Sequence, residues 1–410
     1  MIANAKKIAD GVYWVGALDW DTREFHGYTL HGSTYNCYLV FGDDKTALID
    51  NVYPGFFPEL WARIEDAFAQ EGKDEIKIDV MIQNHIEMDH SGSLPDIVEK
   101  FPDIEIYCTQ IAIPGLKNHW PSLVNKEMNP IKTGDTLDLG GKSFTFINAP
   151  MLHWPDSNFT LYNEEGILFS NDAFGQHICS GERYDYELDP KAVENVAKKY
   201  FANLITLSSP LVVSKVKEMA DAGYLDKVKM IAPCHGVIWT KPQTIIDLYA
   251  KWATADCEDK ITVIYDTMHH STQKLAHEIA EGIISEGVKV KMCFLKEDDE
   301  SDVVTEVLDS KAIALGVPTM MNNPYPNVGK IIYYFNCLSF ANAGKKKKAA
   351  VFSSKGWGGG AINRLTSDLE NAGFDVLEDD ALDVHYVPDE KALEQAYELG
   401  KKLAKAIKED

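Results

Sequence analysis

The chain has 410 residues, 45% hydrophobic and 25% charged, which is enough for two ordinary domains with substantial cores. Its formal net charge of -23 excludes nucleic acid as a partner, because neutralising phosphates requires an excess of clustered lysine and arginine. Seven cysteines, odd in number and without a Cys-x-x-Cys pair, exclude a disulfide scaffold and an attached rubredoxin-like iron module.

The N-terminal segment runs into polar sequence, and no apolar run approaches the roughly 18 residues that a membrane span requires. We therefore expect a cytoplasmic protein that does not contact the membrane. Electrons for any redox chemistry would have to arrive from a separate molecule.

The first half of the chain alternates short β-rich runs, turns and helical stretches. Residues 38–50 are typical of a strand, a polar turn and a second strand. Helical periodicity occurs at about 57–70 and 190–203. Further strands are predicted at 78–82, 144–147, 159–162, 166–170 and 230–234. This half therefore mixes strands and helices and contains hairpins.

A dense group of possible metal ligands follows the strand at 78–82. Residues 84–90 read Asn-His-Ile-Glu-Met-Asp-His, which supplies His85, Glu87, Asp89 and His90. Two metal ions could share this loop. Two imidazoles matched by two carboxylates suit a harder metal than an all-nitrogen site does. At this point the loop is compatible with a zinc hydrolase or with an iron redox enzyme.

Three more candidate ligands stand at the ends of later strands: His153, Asp172 and His235. Each follows a short hydrophobic run and precedes a loop, which would bring all three to one rim of the sheets. Singly, each could be a structural histidine or a capping aspartate. Together with the loop they provide four ligands for each of two metals if one carboxylate bridges, and they leave open positions for a substrate. His177 is expected beside the ligands rather than among them.

After residues 255–260 the pattern changes to strict alternation of strand, loop and amphipathic helix. The first strand is predicted at 261–265 and the first helix at about 273–286, with further strands at 288–295, 312–315 and 349–352. This alternation predicts an open, doubly wound parallel α/β sheet. We place the domain boundary here, which divides the chain into residues 1–257 and 258–410.

Three loops of this second half follow strands and suit a flat, phosphorylated cofactor. Residues 266–272 offer hydroxyls and backbone amides at a helix N-terminus, where a phosphate monoester could be held without lysine or arginine. An ordinary helix cap is the alternative interpretation. Residues 316–323 and 353–361 contain glycines that allow close approach to a ring, on which Trp357 could stack.

Because α/β sheets bind ligands at the carboxyl ends of their strands, the three loops together predict FMN. No Gly-x-Gly-x-x-Gly follows a strand, which disfavours a dinucleotide. The candidate FMN-binding residues are Thr267, Met268, His269, Ser271, Thr272, Pro318, Thr319, Asn322, Ser353, Lys355, Gly356, Trp357, Gly358 and Gly359. The cationic run 345–348 is interpreted as a solvated loop, with a docking patch for an anionic donor as the alternative.

The motif His85-x-Glu87-x-Asp89-His90, followed by His153, Asp172 and His235, resembles the metallo-β-lactamase-like domain of flavodiiron proteins (A-type flavoproteins). Hydrolases of that superfamily usually have a histidine where this chain has Glu87, which favours iron over zinc. The resemblance covers the whole chain in domain order. It implies an N-terminal metallo-β-lactamase-like αββα sandwich followed by a flavodoxin-like α/β domain.

The resemblance also implies a ligand set for two iron ions. One iron takes His85, Glu87 and His153, the other takes Asp89, His90 and His235, and Asp172 bridges them. The position matching His90 does not bind metal in every member. His26 and Tyr200 resemble residues that line the oxidant pocket of the family, with ordinary packing as the alternative.

The reaction implied by the resemblance is four-electron reduction of dioxygen to water, with nitric oxide as a second oxidant. The segments 149–157, 166–177 and 265–269 look most like the methanogen branch, whose members oxidise reduced coenzyme F-420, a deazaflavin. A small redox protein, rubredoxin, is the alternative donor. The family places the FMN of one subunit near the iron site of another, which implies a head-to-tail homodimer or dimer of dimers.

Two interpretations from other classes remain. A zinc hydrolase fused to a flavodoxin would use a metal-bound hydroxide on an ester or amide. A flavoprotein that only carries electrons would keep the ligand loop as a relic, although the complete ligand set argues against it.

Overall fold

The computed structural model describes residues 3–338, 345–377 and 381–409. The chain forms two compact units. Unit 1 comprises residues 1–200 and 214–248, and unit 2 comprises residues 201–213 and 249–410. The junction predicted at 257/258 lies inside the second stretch of unit 2 in this division. As a boundary between domains it stays a prediction.

Unit 1 contains two larger sheets and two short two-stranded sheets. Its strands are β1 (Lys6–Ala9), β2 (Val12–Trp14), β3 (Ala17–Asp19), β4 (Glu24–Phe25), β5 (Tyr28–Thr29), β6 (Ser33–Tyr35), β7 (Tyr38–Phe41), β8 (Thr46–Ile49), β9 (Val80–Gln83), β10 (Glu105–Thr109), β11 (Asn129–Ile131), β12 (Thr136–Asp138), β13 (Ser143–Asn148), β14 (Asn158–Tyr162), β15 (Ile167–Asn171) and β16 (Met230–Pro233). The first sheet has the order β1-β2-β7-β8-β9-β10-β11, and the second has the order β12-β13-β14-β15-β16. The two-stranded sheets are β3-β6 and β4-β5.

Apolar side chains from both sheets form one core, which includes Val40 and Ile82 of the first sheet and Phe146 and Phe169 of the second. The other face of the first sheet packs against helical residues such as Leu60 in a second core. The first six helices, in chain order, are α1 (Phe57–Gln70), α2 (Met88–Ser91), α3 (Leu94–Lys100), α4 (Ala112–His119), α5 (Pro190–Tyr200) and α6 (Ser209–Asp221). Face-to-face packing explains why the central strands are buried along their whole length.

Unit 2 is built on a parallel sheet. The remaining strands are β17 (Glu258–Tyr265), β18 (Lys289–Phe294), β19 (Ser310–Gly316), β20 (Thr319–Met320), β21 (Asn323–Pro324), β22 (Lys348–Lys355), β23 (Asp375–Val376) and β24 (Leu382–His385). The remaining helices are α7 (Pro242–Ala253), which crosses the division between the units, α8 (Ser271–Ser285), α9 (Glu300–Leu308), α10 (Val328–Leu338), α11 (Ala361–Asn371) and α12 (Glu390–Glu409). The sheet order is β18-β17-β19-β22-β23, and β24 also pairs with β22. The order reverses between β17 and β19, so their carboxyl ends form the crevice in which such sheets bind ligands.

The strands predicted from apolar runs are confirmed, and most boundaries differ by one to three residues. The helix predicted at 190–203 ends earlier, because a π-helical turn at Phe201–Ile205 follows Tyr200. The helix predicted from 273 begins at Ser271. Within the described ranges, no helix combines the length and the apolar character needed to cross a membrane.

A buried lysine connects β17 to the C-terminal end of α9, and its removal should lower the free energy of unfolding. Lys260 is 8% exposed, and its Nζ contacts Asp309 and lies 3.0 Å from Glu306 Oε2. Lys260→Met should reduce the free energy of unfolding by about 2 kcal/mol, because two carboxylates lose their cation in a poorly hydrated place. Urea unfolding followed by circular dichroism measures the effect. Lys289→Met, which removes an exposed pair with Glu258, should cost less than about 1 kcal/mol.

The contribution of Lys260 to the free energy of unfolding should depend on pH. Burial lowers the pKa of Lys260, but the hydrogen bond and charge of Asp309 outweigh it and raise the pKa above 10.5. The stabilisation is therefore fully present below pH 10.5 and is lost as the pH rises through the higher pKa of the folded state. The difference between wild type and Lys260→Met should shrink in that range. A difference that grows with pH would contradict the assignment.

Candidate metal centre and flavin cavity

The ligand loop of unit 1 begins one residue after β9 in the first sheet. Asp50 fixes its start, because Asp50 Oδ1 accepts a hydrogen bond of 2.8 Å from the Asn84 backbone amide. The four candidate ligands occupy the following turn and the short helix α2, and His85, Asp89 and His90 are completely buried. The close spacing along the chain therefore gathers these side chains, and Asp50 fixes where the loop begins.

The other three candidate ligands come from the second sheet. His153 lies in the turn after β13, Asp172 directly follows β15, and His235 follows β16 by two residues. The prediction that strand ends converge on one rim is confirmed by the contacts described next. The two sheets bring their ligand-bearing ends together because they pack face to face.

Four side chains form a first group of ligand atoms. His85 Nε2 lies 3.4 Å from Glu87 Oε2, and His153 Nε2 lies 3.3 Å from the same oxygen. Both ring nitrogens lie 3.6 Å from Asp172 Oδ2. These four atoms are close enough together to surround one cation.

A second group lies on the other side of Asp172. His90 Nε2 is 3.1 Å and His235 Nε2 is 3.0 Å from Asp89 Oδ2. The same nitrogens lie 3.3 and 3.4 Å from Asp172 Oδ1. Asp172 thus turns one carboxylate oxygen toward each group, which is the arrangement that a bridging carboxylate requires.

The cluster contains buried polar atoms that lack hydrogen bonds. Among the described residues, His85 Nε2, Glu87 Oε2, both Asp89 carboxylate oxygens, His153 Nε2, Asp172 Oδ2 and His235 Nε2 have no hydrogen-bond partner. Buried polar atoms without partners are costly, and several converging on one place indicate a binding site for a cation. Four imidazoles with three carboxylates fit two divalent iron ions, and a cation would satisfy these atoms.

The pKa shifts within the cluster also favour a bound cation. Burial raises the pKa of Asp172, but the charge of His90 and the close contact with His235 outweigh it and hold the pKa well below its ordinary value. Burial lowers the pKa of His235, but its close contacts with the Asp172 and Asp89 carboxylates raise it to about 10. The carboxylates of the cluster are therefore held ionised and require positive charge beside them, which a divalent cation would supply.

Two groups outside the predicted set orient the ligand histidines. His85 Nδ1 donates to Asp156 Oδ2 at 2.9 Å, and His235 Nδ1 donates to the Thr34 carbonyl at 2.6 Å. A proton on Nδ1 leaves Nε2 free to bind metal. Sequence reasoning missed Asp156, although it stands three residues after His153.

Asp156→Asn is expected to lower metal affinity by about 10-fold, because the amide accepts more weakly from His85 and from the Ile86 backbone amide. Metal retained after dialysis against a chelator measures the effect. Asp103→Asn, at an exposed position of unit 1, is the matched control and should retain wild-type metal. Equal retention in both variants would show that Asp156 does not orient the ligand.

The two predicted pocket residues lie beside the cluster. His26 and Gly27 form the two-residue turn of the β4–β5 hairpin, and both have positive φ, as such turns require. This turn places His26 Nε2 3.3 Å from Glu87 Oε1. Tyr200 donates a hydrogen bond of 2.7 Å to Asp172 Oδ1.

His177 lies next to these residues, as expected, and not in either ligand group. Its Nδ1 is 2.6 Å from Ser33 Oγ, and its Nε2 is 3.3 Å from His26 Nδ1. Burial, followed by the positive charges of His235 and His26, lowers the pKa of His177 well below its ordinary value. His177 is therefore a neutral ring whose Nε2 contacts His26 Nδ1.

Unit 2 has a cavity of about 700 Å³ at the carboxyl ends of its strands. Ten of the fourteen predicted FMN-binding residues line it: Met268, His269, Ser271, Pro318, Thr319, Asn322, Lys355, Gly356, Trp357 and Gly358. The other four are not part of the wall. Thr267 is buried, Thr272 hydrogen-bonds Ser354, Ser353 lies near Thr319, and Gly359 lies near Lys355.

The cavity fits a phosphorylated flat ring. The first turn of α8 carries no acidic residue, and the buried Thr267 hydroxyl just before it has no hydrogen-bond partner among the described residues. Five wall residues were not among the predicted binding residues: Met320, Met321 and Ser354 lie in the predicted loops, whereas Tyr386 and Val387 lie outside them. Tyr386 and Val387 belong to a fourth loop, after β24, and the strand-like run 382–385 was the available signal.

Comparison with known proteins agrees with this arrangement. Residues 34–236 match the ODP family beta lactamase, and residues 263–400 match flavodoxin. A protein named coenzyme F420H(2) oxidase from Methanocaldococcus jannaschii is 54% identical over 406 residues, which cover 98% of this chain and 97% of that protein. A nitric oxide reductase from Moorella thermoacetica is 42% identical over 404 residues, covering 98% of each. The crystal structure of the flavodiiron protein from Giardia intestinalis matches with a TM-score of 0.91 and 32% identity, covering 99% of this chain and 97% of that one.

Proposed function

The chain belongs to the flavodiiron protein family, and from this premise we propose that it is a reduced coenzyme F-420:dioxygen oxidoreductase. It reduces dioxygen to water by four electrons at a diiron site, with electrons relayed through FMN. The observation that carries the proposal is the double ligand cluster, in which Asp172 turns one oxygen toward each group. The 54% identity to a coenzyme F420H(2) oxidase supports the choice of donor.

The roles of the cluster residues follow from their grouping. His85, Glu87 and His153 would hold one iron, Asp89, His90 and His235 would hold the other, and Asp172 would serve both groups. When bound, the iron pair supplies open coordination positions and electrons for the oxidant, and FMN converts two-electron transfer into one-electron steps. Cys234 is not needed as a ligand, because Asp89 completes the second group.

The residues around the cluster orient the ligand side chains and can donate protons to the oxidant. The Tyr200 hydroxyl donates to Asp172 Oδ1 and so fixes the carboxylate between the two groups. His26 stands at Glu87 Oε1 and faces the first group, where an imidazole can donate a proton to a reduced oxidant. Ser33 and His177 hold the His26 ring in this direction.

His26→Leu should lower kcat for dioxygen by about 100- to 10,000-fold, the range typical of losing a general acid. Iron content should stay unchanged, because His26 is outside both ligand groups. An oxygen electrode and iron analysis measure the two quantities. His31→Leu, at an exposed position in the same unit, is the control. Unchanged rates with both dioxygen and nitric oxide would remove His26 from the mechanism.

The flavin cavity and the metal cluster belong to separate compact units. We therefore infer a head-to-tail homodimer or dimer of dimers, in which the flavin of one subunit serves the metal centre of another. Analytical ultracentrifugation with activity assays of each species tests this inference. An active, strictly monomeric protein would contradict it. The seven free cysteines fit a reducing compartment, and we infer a cytoplasmic location.

The decisive experiment is an oxygen electrode measurement with reduced deazaflavin as donor and with reduced rubredoxin as the comparison. We expect two molecules of reduced deazaflavin to be consumed for each dioxygen, without release of peroxide. The same donors are then tested with nitric oxide. Turnover only with rubredoxin would replace the proposed donor and leave the diiron chemistry intact.

One relative keeps nitric oxide as a second candidate oxidant, since the Moorella thermoacetica protein bears the name nitric oxide reductase. Metal analysis separates the remaining alternatives. Zinc in place of about two irons per chain would favour a hydrolase. Full iron and FMN without any oxidant consumption would favour an electron carrier.

A further inference from the structure

A cysteine and a lysine meet at the amino-terminal edge of the sheet in unit 2, away from the flavin cavity. Cys257 directly precedes β17, and Lys347 directly precedes β22. Lys347 Nζ lies 3.1 Å from Cys257 Sγ. The two residues are 90 positions apart, so the fold and not the local chain makes this contact.

The lysine is held in place by backbone carbonyls. Lys347 is 5% exposed, and its Nζ donates to the Leu308 carbonyl at 3.0 Å and to the Ser310 carbonyl at 2.7 Å. The nitrogen that donates to these two carbonyls also lies against the sulfur, so the backbone positions it beside Cys257. Burying a lysine is costly unless such partners surround it, so its position is strongly fixed.

Small molecules can reach the sulfur. Cys257 is half-buried and forms part of the wall of a cavity of about 680 Å³, together with Lys311, Lys345, Lys346 and Asp375. Partly exposed cysteines beside lysine are the ones that oxidants attack first. Cys37, Cys108, Cys234 and Cys293 are buried, Cys337 is exposed, and Cys179 is half-buried like Cys257.

We propose that Cys257 and Lys347 form a covalent nitrogen–oxygen–sulfur bridge when the protein meets dioxygen. One thiol, one ammonium and one dioxygen give the S–O–N link, one water and one proton. The S–H bond and two N–H bonds break, and S–O and O–N bonds form. Sulfur and nitrogen together lose four electrons, which reduce one oxygen atom to water and the other to the bridging atom. The inference does not depend on the proposed function.

The bridge would fasten two strands across a third. β17 and β22 flank β19 in the sheet, and Leu308 ends α9 while Ser310 begins β19. A covalent link between residues 257 and 347 restricts the unfolded chain over a long loop. The bridged protein should therefore unfold at a higher temperature than the reduced protein.

Mass spectrometry of the full-length holoprotein tests the proposal. After incubation in dioxygen-saturated buffer we expect a mass gain of about 14 Da, one oxygen gained and two hydrogens lost, together with the loss of one titratable thiol. Digestion with a protease that does not cut at lysine should yield one cross-linked peptide pair containing Cys257 and Lys347. A thiol reductant should restore the original mass. Anaerobic protein should show no gain.

Matched variants make the test specific. Lys347→Arg and Cys257→Ser should both abolish the mass gain, and the second keeps a polar acceptor for the lysine if the first fails to fold. Lys346→Arg and Cys337→Ser should retain it. Oxidation of Cys257 with Lys347 unmodified, an unchanged mass in dioxygen, or a mass gain that persists in Cys257→Ser would each overturn the proposal.

Discussion

Asp172→Asn is expected to abolish dioxygen reduction, lowering kcat by at least about 1,000-fold. The carboxylate turns Oδ2 toward the first ligand group and Oδ1 toward the second. An amide carries no charge and offers only one oxygen, so it cannot serve both groups. Two like-charged ions would then lie close together without the anion that separates them. Iron content should fall toward one ion or none per chain.

The measurement compares an oxygen electrode rate with iron analysis of the same preparation. Asp226→Asn, at an exposed position in unit 1, changes the net charge equally and should keep both iron and activity. Circular dichroism should show that Asp172→Asn remains folded, because the change is nearly isosteric. Full iron content with wild-type turnover would exclude Asp172 as the bridging ligand.

Ser271→Asp is expected to give the second large effect, loss of FMN. Ser271 is the first residue of α8 and lines the cavity in unit 2. The helix N-terminus, without any acidic residue in its first turn, attracts a phosphate. A carboxylate there would repel the phosphate dianion at a distance of a few ångströms and should weaken FMN binding by about 100-fold.

Flavin absorbance after gel filtration, followed by titration with added FMN, measures this loss. Ser271→Ala should retain most of the FMN because backbone amides remain. Asn371→Asp, at the exposed end of α11, adds the same charge far from the cavity and should bind FMN as wild type does. If Ser271→Asp kept its flavin, the phosphate would have to lie elsewhere in the cavity. Iron content should not change in any of these variants, since the metal cluster belongs to unit 1.

The ligand loop at residues 84–90 shows how much local sequence can predict. The loop brings its ligands together because they lie within six consecutive residues after a buried strand, where the chain has little conformational freedom. These ligands are His85, Glu87, Asp89 and His90. His153, Asp172 and His235 could be added because strand ends gather at sheet edges. The division between zinc and iron rested on Glu87 and on the family resemblance, since spacing alone allowed both metals.

Residues that act through distant contacts were harder to find. Asp156 hydrogen-bonds His85 across 71 positions of the chain, and nothing in its neighbourhood marks it as more than a turn residue. The partner of His235 is a backbone carbonyl, that of Thr34, which any residue type would supply. The wall residues Tyr386 and Val387 follow a short edge strand, where the alternating pattern is weak.

The sequence by itself determined the two domain types, the seven candidate ligands and the three main loops of the flavin cavity, because periodicity and strand-end chemistry are local properties. Only the tertiary structure decided which oxygen of Asp172 faces which ligand group, that the His26 turn reaches Glu87, and that Lys347 meets Cys257. These contacts depend on how the sheets pack and on the order of the strands within them. The packing of all the core side chains together determines that geometry, and no single segment of the sequence specifies it.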